Sequence, residues 1–205
     1  MNSKWLEWAQ SLSAIAQNGL AYCKNPYDLL NYERIQKIAA EIIAVHSDLD
    51  HSQANELLSL EKGYATPKVD VRGAVFSDNQ ILLVRERREK LWTLPGGWAD
   101  INNSPAESVE KEIREESGYE ARAVKLAAVY DRNKHNHPRY YFHLYKMFFV
   151  CELTGGASAT SIETDGVDFF TENNLPELSL PRVTESQIKR MFEHYRNPDL
   201  PTDFD

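Results

Sequence analysis

Three glutamates, Glu112, Glu115 and Glu116, share one edge of a segment with helical periodicity, just after the glycine turn Leu94-Pro95-Gly96-Gly97-Trp98-Ala99-Asp100. At about 100° per residue the three carboxylates lie within about 100° of one another, beside an apolar stripe of Ala106, Val109 and Ile113. Like charges so placed repel by about 0.2–0.5 kcal/mol per pair, so their clustering calls for a cation. Mg²⁺ or Mn²⁺ takes hard oxygen ligands in a near-octahedral array. A helix edge facing a glycine turn offers carboxylates from one side and the carbonyls of Gly96 and Gly97 from the other. Taken alone, the glutamates also fit a merely solvated helix edge.

The boundaries of that helix are written locally. Ser104 caps the free amides, Pro105 takes the first helical position, Glu107 closes a capping box, and Gly118 suits a left-handed exit. Upstream, Val69 to Phe76 alternates as a strand, Ser77-Asp78-Asn79 turns, and Ile81 to Val84 returns as its hairpin partner. Further strands are expected at about 121–132 and across the aromatic run 140–153, and a last helix at about 184–195.

Residues 1–66 have a different period. Trp5, Trp8, Leu12, Ile15 and Ala16 draw an apolar stripe on a helix ending near Cys23. Asn25-Pro26 opens a second helix carrying Ile35, Ile38, Ala39, Ile42 and Val45, and a third covers about 52–60. Gly63 to Pro67 breaks the helical period and reads as a linker. The expected organisation is a small all-α domain over 1–66, for dimerisation or on the substrate side, followed by an α/β domain over 67–205. The apolar faces exceed what three short helices bury among themselves, which points to a homodimer.

Across 205 residues the net charge is −8, which disfavours a broad basic face for duplex DNA and favours cation binding. Cys23 and Cys151 are the only cysteines, too few for a disulfide framework. No signal peptide or membrane span is read, and a cytoplasmic protein is expected.

Gly97, then Asn103, then Lys111-Glu112-Ile113-Arg114-Glu115-Glu116-Ser117-Gly118-Tyr119 resembles the Nudix box of nucleoside diphosphate hydrolases. Two positions depart: Asn103 replaces the family's glutamate and Lys111 its arginine. The resemblance extends over about 68–197, and the helical extension is similar to that of a subgroup with CDP-choline and ADP-ribose pyrophosphatases. It implies a Nudix α/β/α sandwich with a mixed sheet and cleavage of a nucleoside diphosphate linked to another group by water attacking phosphorus.

On this resemblance Glu112 and Glu116 are the principal metal ligands, Glu115 a shared or more distant one, and a carbonyl of Gly96 or Gly97 completes the shell. Glu163, in what looks like the family's downstream acidic loop, is the expected base, with Glu112 as alternative. Arg72 and Arg85 flank the turn and are candidates for substrate phosphates, and Trp98 and Tyr130 for stacking on a base. CDP-choline is the favoured substrate and ADP-ribose the second. Two further readings are trimming of single-stranded RNA ends, held by the stretch from Tyr130 to Lys146 in a 3′–5′ exonuclease activity, and a non-catalytic nucleotide-sensing module.

Overall fold

The computed structural model describes Lys4 to Asp205, in two compact units. One unit runs up to Pro67 and takes in Arg139–His143; the other comprises Lys68–Pro138 and Leu144–Asp205.

In the first unit α1 (Lys4–Tyr22), α2 (Pro26–Val45) and α3 (His51–Ser59) follow in sequence. Asn25 caps α2 by accepting from the Tyr27 amide, and Asp50 with Gln53 forms a capping box on α3. Small residues, Ala9, Ala39, Ala40 and Ala54, let the helices approach around Ile43 and Leu58, with Trp5 and Leu12 packed against them. Trp8, Ile15 and Tyr22 stay exposed at seven-residue steps on α1, as do Ile38 and Val45 on α2. The aromatic run does not begin a strand at Tyr140. The Tyr140 and Tyr141 carbonyls accept from Gln10 Nε2 at 3.2 and 3.1 Å, so that backbone is taken from any ladder, and the strand starts at Leu144.

The second unit is a seven-stranded mixed sheet in the order β3-β2-β1-β5-β4-β7, with β6 on the other side of β2. Its strands are β1 (Lys68–Ser77), β2 (Gln80–Glu86), β3 (Trp92–Thr93), β4 (Tyr119–Asp131), β5 (Leu144–Gly156), β6 (Thr164–Phe170) and β7 (Asp203–Phe204). The β1–β2 hairpin turns through Asp78 and Asn79, both at positive φ of 49° and 58°, as a two-residue turn requires. β1 lies parallel to β5 from Lys68/Leu144 to Phe76/Glu152. One face packs Val71, Val75, Leu82 and Phe149 against Val109 and Ile113 of α4 (Pro105–Ser117). The opposite face packs Ala74, Phe76, Ile81 and Phe148 against Ile188, Met191 and Phe192 of α5 (Glu185–Arg196). The helices therefore sandwich the sheet, as expected. No helix among the described residues is long and apolar enough to cross a membrane.

What positions the glycine turn is a split between neighbouring strands. β1 and β2 pair only at Phe76/Ile81 and Ser77/Gln80, then part. The turn enters the gap: β3 pairs with β2 at Val84/Thr93, while on the β1 side the Pro95 and Gly97 carbonyls accept from Gly73 and Val71 at 2.9 and 2.8 Å.

Candidate active site

The turn and α4 meet at two carboxylates. Ser104 and Glu107 close the capping box and Gly118 exits at φ 75°, so α4 begins and ends where the local code places it. That phase turns Glu116 inward, 5% exposed, where its Oε2 accepts from the Gly96 amide at 2.8 Å. One turn earlier Glu112 lies over Gly97, whose hypothetical Cβ would stand 3.2 Å from Glu112 Oε1. Burial, together with the charges of Glu112 and Glu86, pushes the Glu116 carboxyl up to about 8, against the pull of Arg72 and the Gly96 amide. Burial, then Glu115 and Glu163, raises Glu112 as well. Two buried or half-buried carboxylates made this reluctant to ionise together suit a divalent cation, which would offset both charges.

Glu115, expected as a shared or more distant ligand, stands apart from these two. Glu115 is exposed, and Lys111 reaches both it, at 3.6 Å, and Asp100 of the turn, at 2.6 Å. Lys111 therefore ties helix to turn where the box has arginine. The Gly97 carbonyl is already an acceptor for the Val71 amide. Among the described residues no three His, Cys, Asp or Glu side chains stand together at metal-holding geometry. The donor set fits Mg²⁺ or Mn²⁺ held by one or two carboxylates, with water and substrate phosphates supplying the rest.

The other expected residues divide. Glu163 is exposed, and its charge acts on both Glu112 and Glu86. Its loop is anchored to α4, because Thr164 Oγ1 donates to the Glu116 carbonyl at 2.7 Å. Arg85 pairs with Asp165 at 2.8 Å and lies over the Trp92 ring. Trp98 remains exposed, with Lys68 Nζ 5.9 Å from its ring centroid.

Two expectations are corrected. Arg72 is 4% exposed, and Asp70 grips Nε and Nη2 at 2.9 and 2.8 Å while Nη1 donates to the Leu94 carbonyl at 3.1 Å. Its fork is thus committed inside the protein, not presented to a substrate phosphate. Tyr130, 8% exposed, belongs to the core with Phe148, and its hydroxyl donates to Asp203 at 3.0 Å. It anchors the C-terminal strand and is not a stacking platform. Tyr130→Phe should therefore lower stability by about 1 kcal/mol, one hydrogen bond, with KM unchanged. A raised KM with unchanged stability, read from denaturant melts beside steady-state kinetics, would restore Tyr130 to the substrate.

Sequence reasoning missed Glu86. Period-two alternation along β2 puts it on the side of Leu82, which packs against α4, so the signal existed. Glu86 is 9% exposed, its Oε1 lies 2.9 Å from Arg182 Nε, and its charge acts on Glu116.

Comparison with known proteins shows the family. Residues 66–194 match the NUDIX domain family, and residues 3–58 match a family described as "UDP-X-like, N-terminal oligomerisation domain". A putative ADP-ribose pyrophosphatase, YjhB, of Bacillus subtilis is 51% identical over 205 residues, covering 100% of this chain and 99% of that protein. A crystal structure of a UDP-X diphosphatase is 33% identical, covers 100% of both chains and superposes with a TM-score of 0.64. That of an ADP-ribose pyrophosphatase from Streptococcus suis is 39% identical over 68% of this chain and 100% of its own, with a TM-score of 0.63. With Glu112 and Glu116 of α4 set against the glycine turn and a family match across most of the chain, the protein belongs to the Nudix hydrolases.

Proposed function

We propose that the protein hydrolyses a nucleoside diphosphate linked to another group, releasing a nucleoside monophosphate and the phosphorylated partner, with Mg²⁺ or Mn²⁺ held by Glu112 and Glu116. The observation that carries this is the buried Glu116 carboxylate fixed on the Gly96 amide beside Glu112. Nudix hydrolases generally use divalent metals. The cation supplies charge neutralisation of the diphosphate and acidification of the attacking water. The Gly96 carbonyl is the backbone donor we favour, since that of Gly97 already has a strand partner. Glu163 is the base we assign to the water proton, because it is exposed and close enough to Glu112 for their charges to interact, with Glu112 as the alternative.

For the substrate, Trp98 keeps the exposure that stacking on a base needs, and Arg85 would have to release Asp165 to reach a phosphate. The two full-length relatives described above carry ADP-ribose and UDP-X in their names, so we place ADP-ribose and UDP conjugates ahead of CDP-choline. The RNA-end reading loses its support: Tyr130 and Lys146 are buried, and His137 is bonded to Leu180 and Gln187. The retained carboxylates argue against a non-catalytic sensor. The test is a panel of ADP-ribose, UDP-glucose, CDP-choline, a nucleoside triphosphate and a short RNA, with Mg²⁺ and with Mn²⁺. Monophosphate release from a diphosphate conjugate supports the proposal; cleavage of the RNA alone, or of none, refutes it.

The helical unit is our candidate for dimerisation. Trp8, 56% exposed, heads a stripe with Ile15 and Tyr22, and burial of such faces is worth roughly 25 cal/mol per Å² of apolar surface. Its match to a family described as an oligomerisation domain supports a second copy as the occupant. Light scattering at micromolar concentration should give twice the chain mass, and Trp8→Ser/Ile38→Ser should give the monomer. A monomeric wild type, or a variant still dimeric, contradicts this.

A further inference from the structure

Behind the glycine turn lies an ion cluster that the proposed reaction does not use. Asp70 and Lys146 are direct neighbours across the parallel β1–β5 pair, and Lys146 Nζ donates to Asp70 Oδ1 at 2.6 Å. The same oxygen accepts from Arg72 Nε, and Asp70 Oδ2 accepts from Arg72 Nη2. Lys146 is 1% exposed. Burial drives its ammonium down to about 7 in spite of Asp70, while Arg72 and Lys146 together hold the Asp70 carboxyl low against its own burial. A buried ion cluster of this kind is a poor stability device, since apolar replacements of similar volume are often as stable or more so. Its presence calls for another role.

The place of Arg72 suggests which. Gly96, whose amide holds Glu116 at 2.8 Å, lies against the Arg72 backbone, where a Cβ on Gly96 would stand 2.9 Å from Arg72 Cα. Arg72 thus faces Glu116 across one glycine, yet its side-chain bonds go to Asp70 and the Leu94 carbonyl, while its charge acts on Glu116 and Glu86. Arginine forms strong two-bond forks with carboxylates, and in a buried setting the attraction is little screened. Freed from Asp70, the guanidinium would have Glu116 and Glu86 as the anions to turn to. A Glu116 carboxylate captured in that way is lost to a cation.

We propose that Asp70, steadied by Lys146, is a positioning residue that keeps the Arg72 guanidinium off Glu116 and so leaves that carboxylate open to the divalent metal. The inference rests on the reading of Glu116 as a metal ligand. It assigns Asp70 an effect on metal affinity that passes through Arg72, which a purely structural role would not produce.

The test is Mn²⁺ affinity, read without substrate from the electron paramagnetic resonance signal of free Mn²⁺ at pH 8, on full-length proteins whose fold is checked by circular dichroism. Asp70→Asn should weaken Mn²⁺ binding at least tenfold. Adding Arg72→Met to that variant should recover at least threefold of the loss, because the competing cation is gone, whereas independent structural damage would accumulate. Asp70→Glu, which keeps the charge, should stay within threefold of wild type. An Asp70→Asn protein with wild-type affinity, or a double variant no better than the single one, overturns the proposal. If Asp70→Asn does not fold, Arg72→Lys decides. An ammonium cannot make the two-bond fork, so affinity should fall at least threefold, and unchanged affinity overturns the proposal. Glu116→Gln separates the two readings. Undiminished Mn²⁺ binding in it removes the ligand assignment and this inference with it; loss there beside an unaffected Asp70→Asn removes this inference alone.

Discussion

Glu116→Gln should lower kcat at least about 10²-fold with the fold intact, and Glu112→Gln should do the same. The glutamine amide keeps the volume and an oxygen that can still accept from the Gly96 amide at its 2.8 Å separation, so the turn loses no packing. What disappears is the charge that a divalent cation needs. Burial, and then the charges of neighbouring glutamates, disfavour ionisation of both carboxyls, so a neutral amide in place of either should leave thermal stability in the absence of metal equal or higher. Loss of activity with equal or greater stability is the signature of a site built for a ligand. Near-normal turnover of either variant at saturating metal would refute its assignment.

Gly96→Ala should be the most damaging small substitution in the turn. Gly96 sits at φ +140°, a region side chains rarely enter, and a Cβ there would lie 2.0 Å from the Val71 carbonyl oxygen. Strain and clash together should cost roughly 2–4 kcal/mol. The turn must shift to relieve them, carrying the Gly96 amide away from Glu116, so activity should fall with stability. Gly97→Ala supplies the contrast. The three atoms nearest its Cβ would all belong to the flexible end of Glu112, the first at 3.2 Å, so stability should change by less than about 1 kcal/mol while catalysis suffers. Urea melts of the two variants beside wild type check the ordering; equal stability losses would contradict the geometry described for the turn.

Local chemistry was legible in the sequence, and partners distant along the chain were not. The box helix was readable because Ser104, Glu107 and Gly118 act within a few residues of the ends they cap, and each does so. The three helices of the first unit were readable from their period and from Asn25-Pro26. Arg72 was misassigned because its partner Asp70 is two residues away on the same strand, an arrangement equally compatible with solvent, and only the β1–β5 register brings Lys146 to Asp70. Tyr130 was misassigned because its hydroxyl partner, Asp203, arrives on a two-residue strand too short to carry a period. No strand is expected from the sequence at β6, where Asp165, Gly166 and Asp168 weaken the local preference, and pairing with β2 overrides it. Residues 140–143 read as the start of β5 because aromatic residues favour strands, but the Tyr140 and Tyr141 carbonyls accept from Gln10 instead.

The central proposal is a divalent cation held between α4 and the glycine turn. The most direct measurement is an anomalous difference map, collected at the manganese edge, from crystals of the full-length protein grown with Mn²⁺ and ADP-ribose. A peak is expected within coordination distance, about 2.0–2.3 Å, of carboxylate oxygens of both Glu112 and Glu116, with the diphosphate or its products on the open side. Manganese bound elsewhere, with both glutamates free of it while the nucleotide occupies the protein, would contradict it.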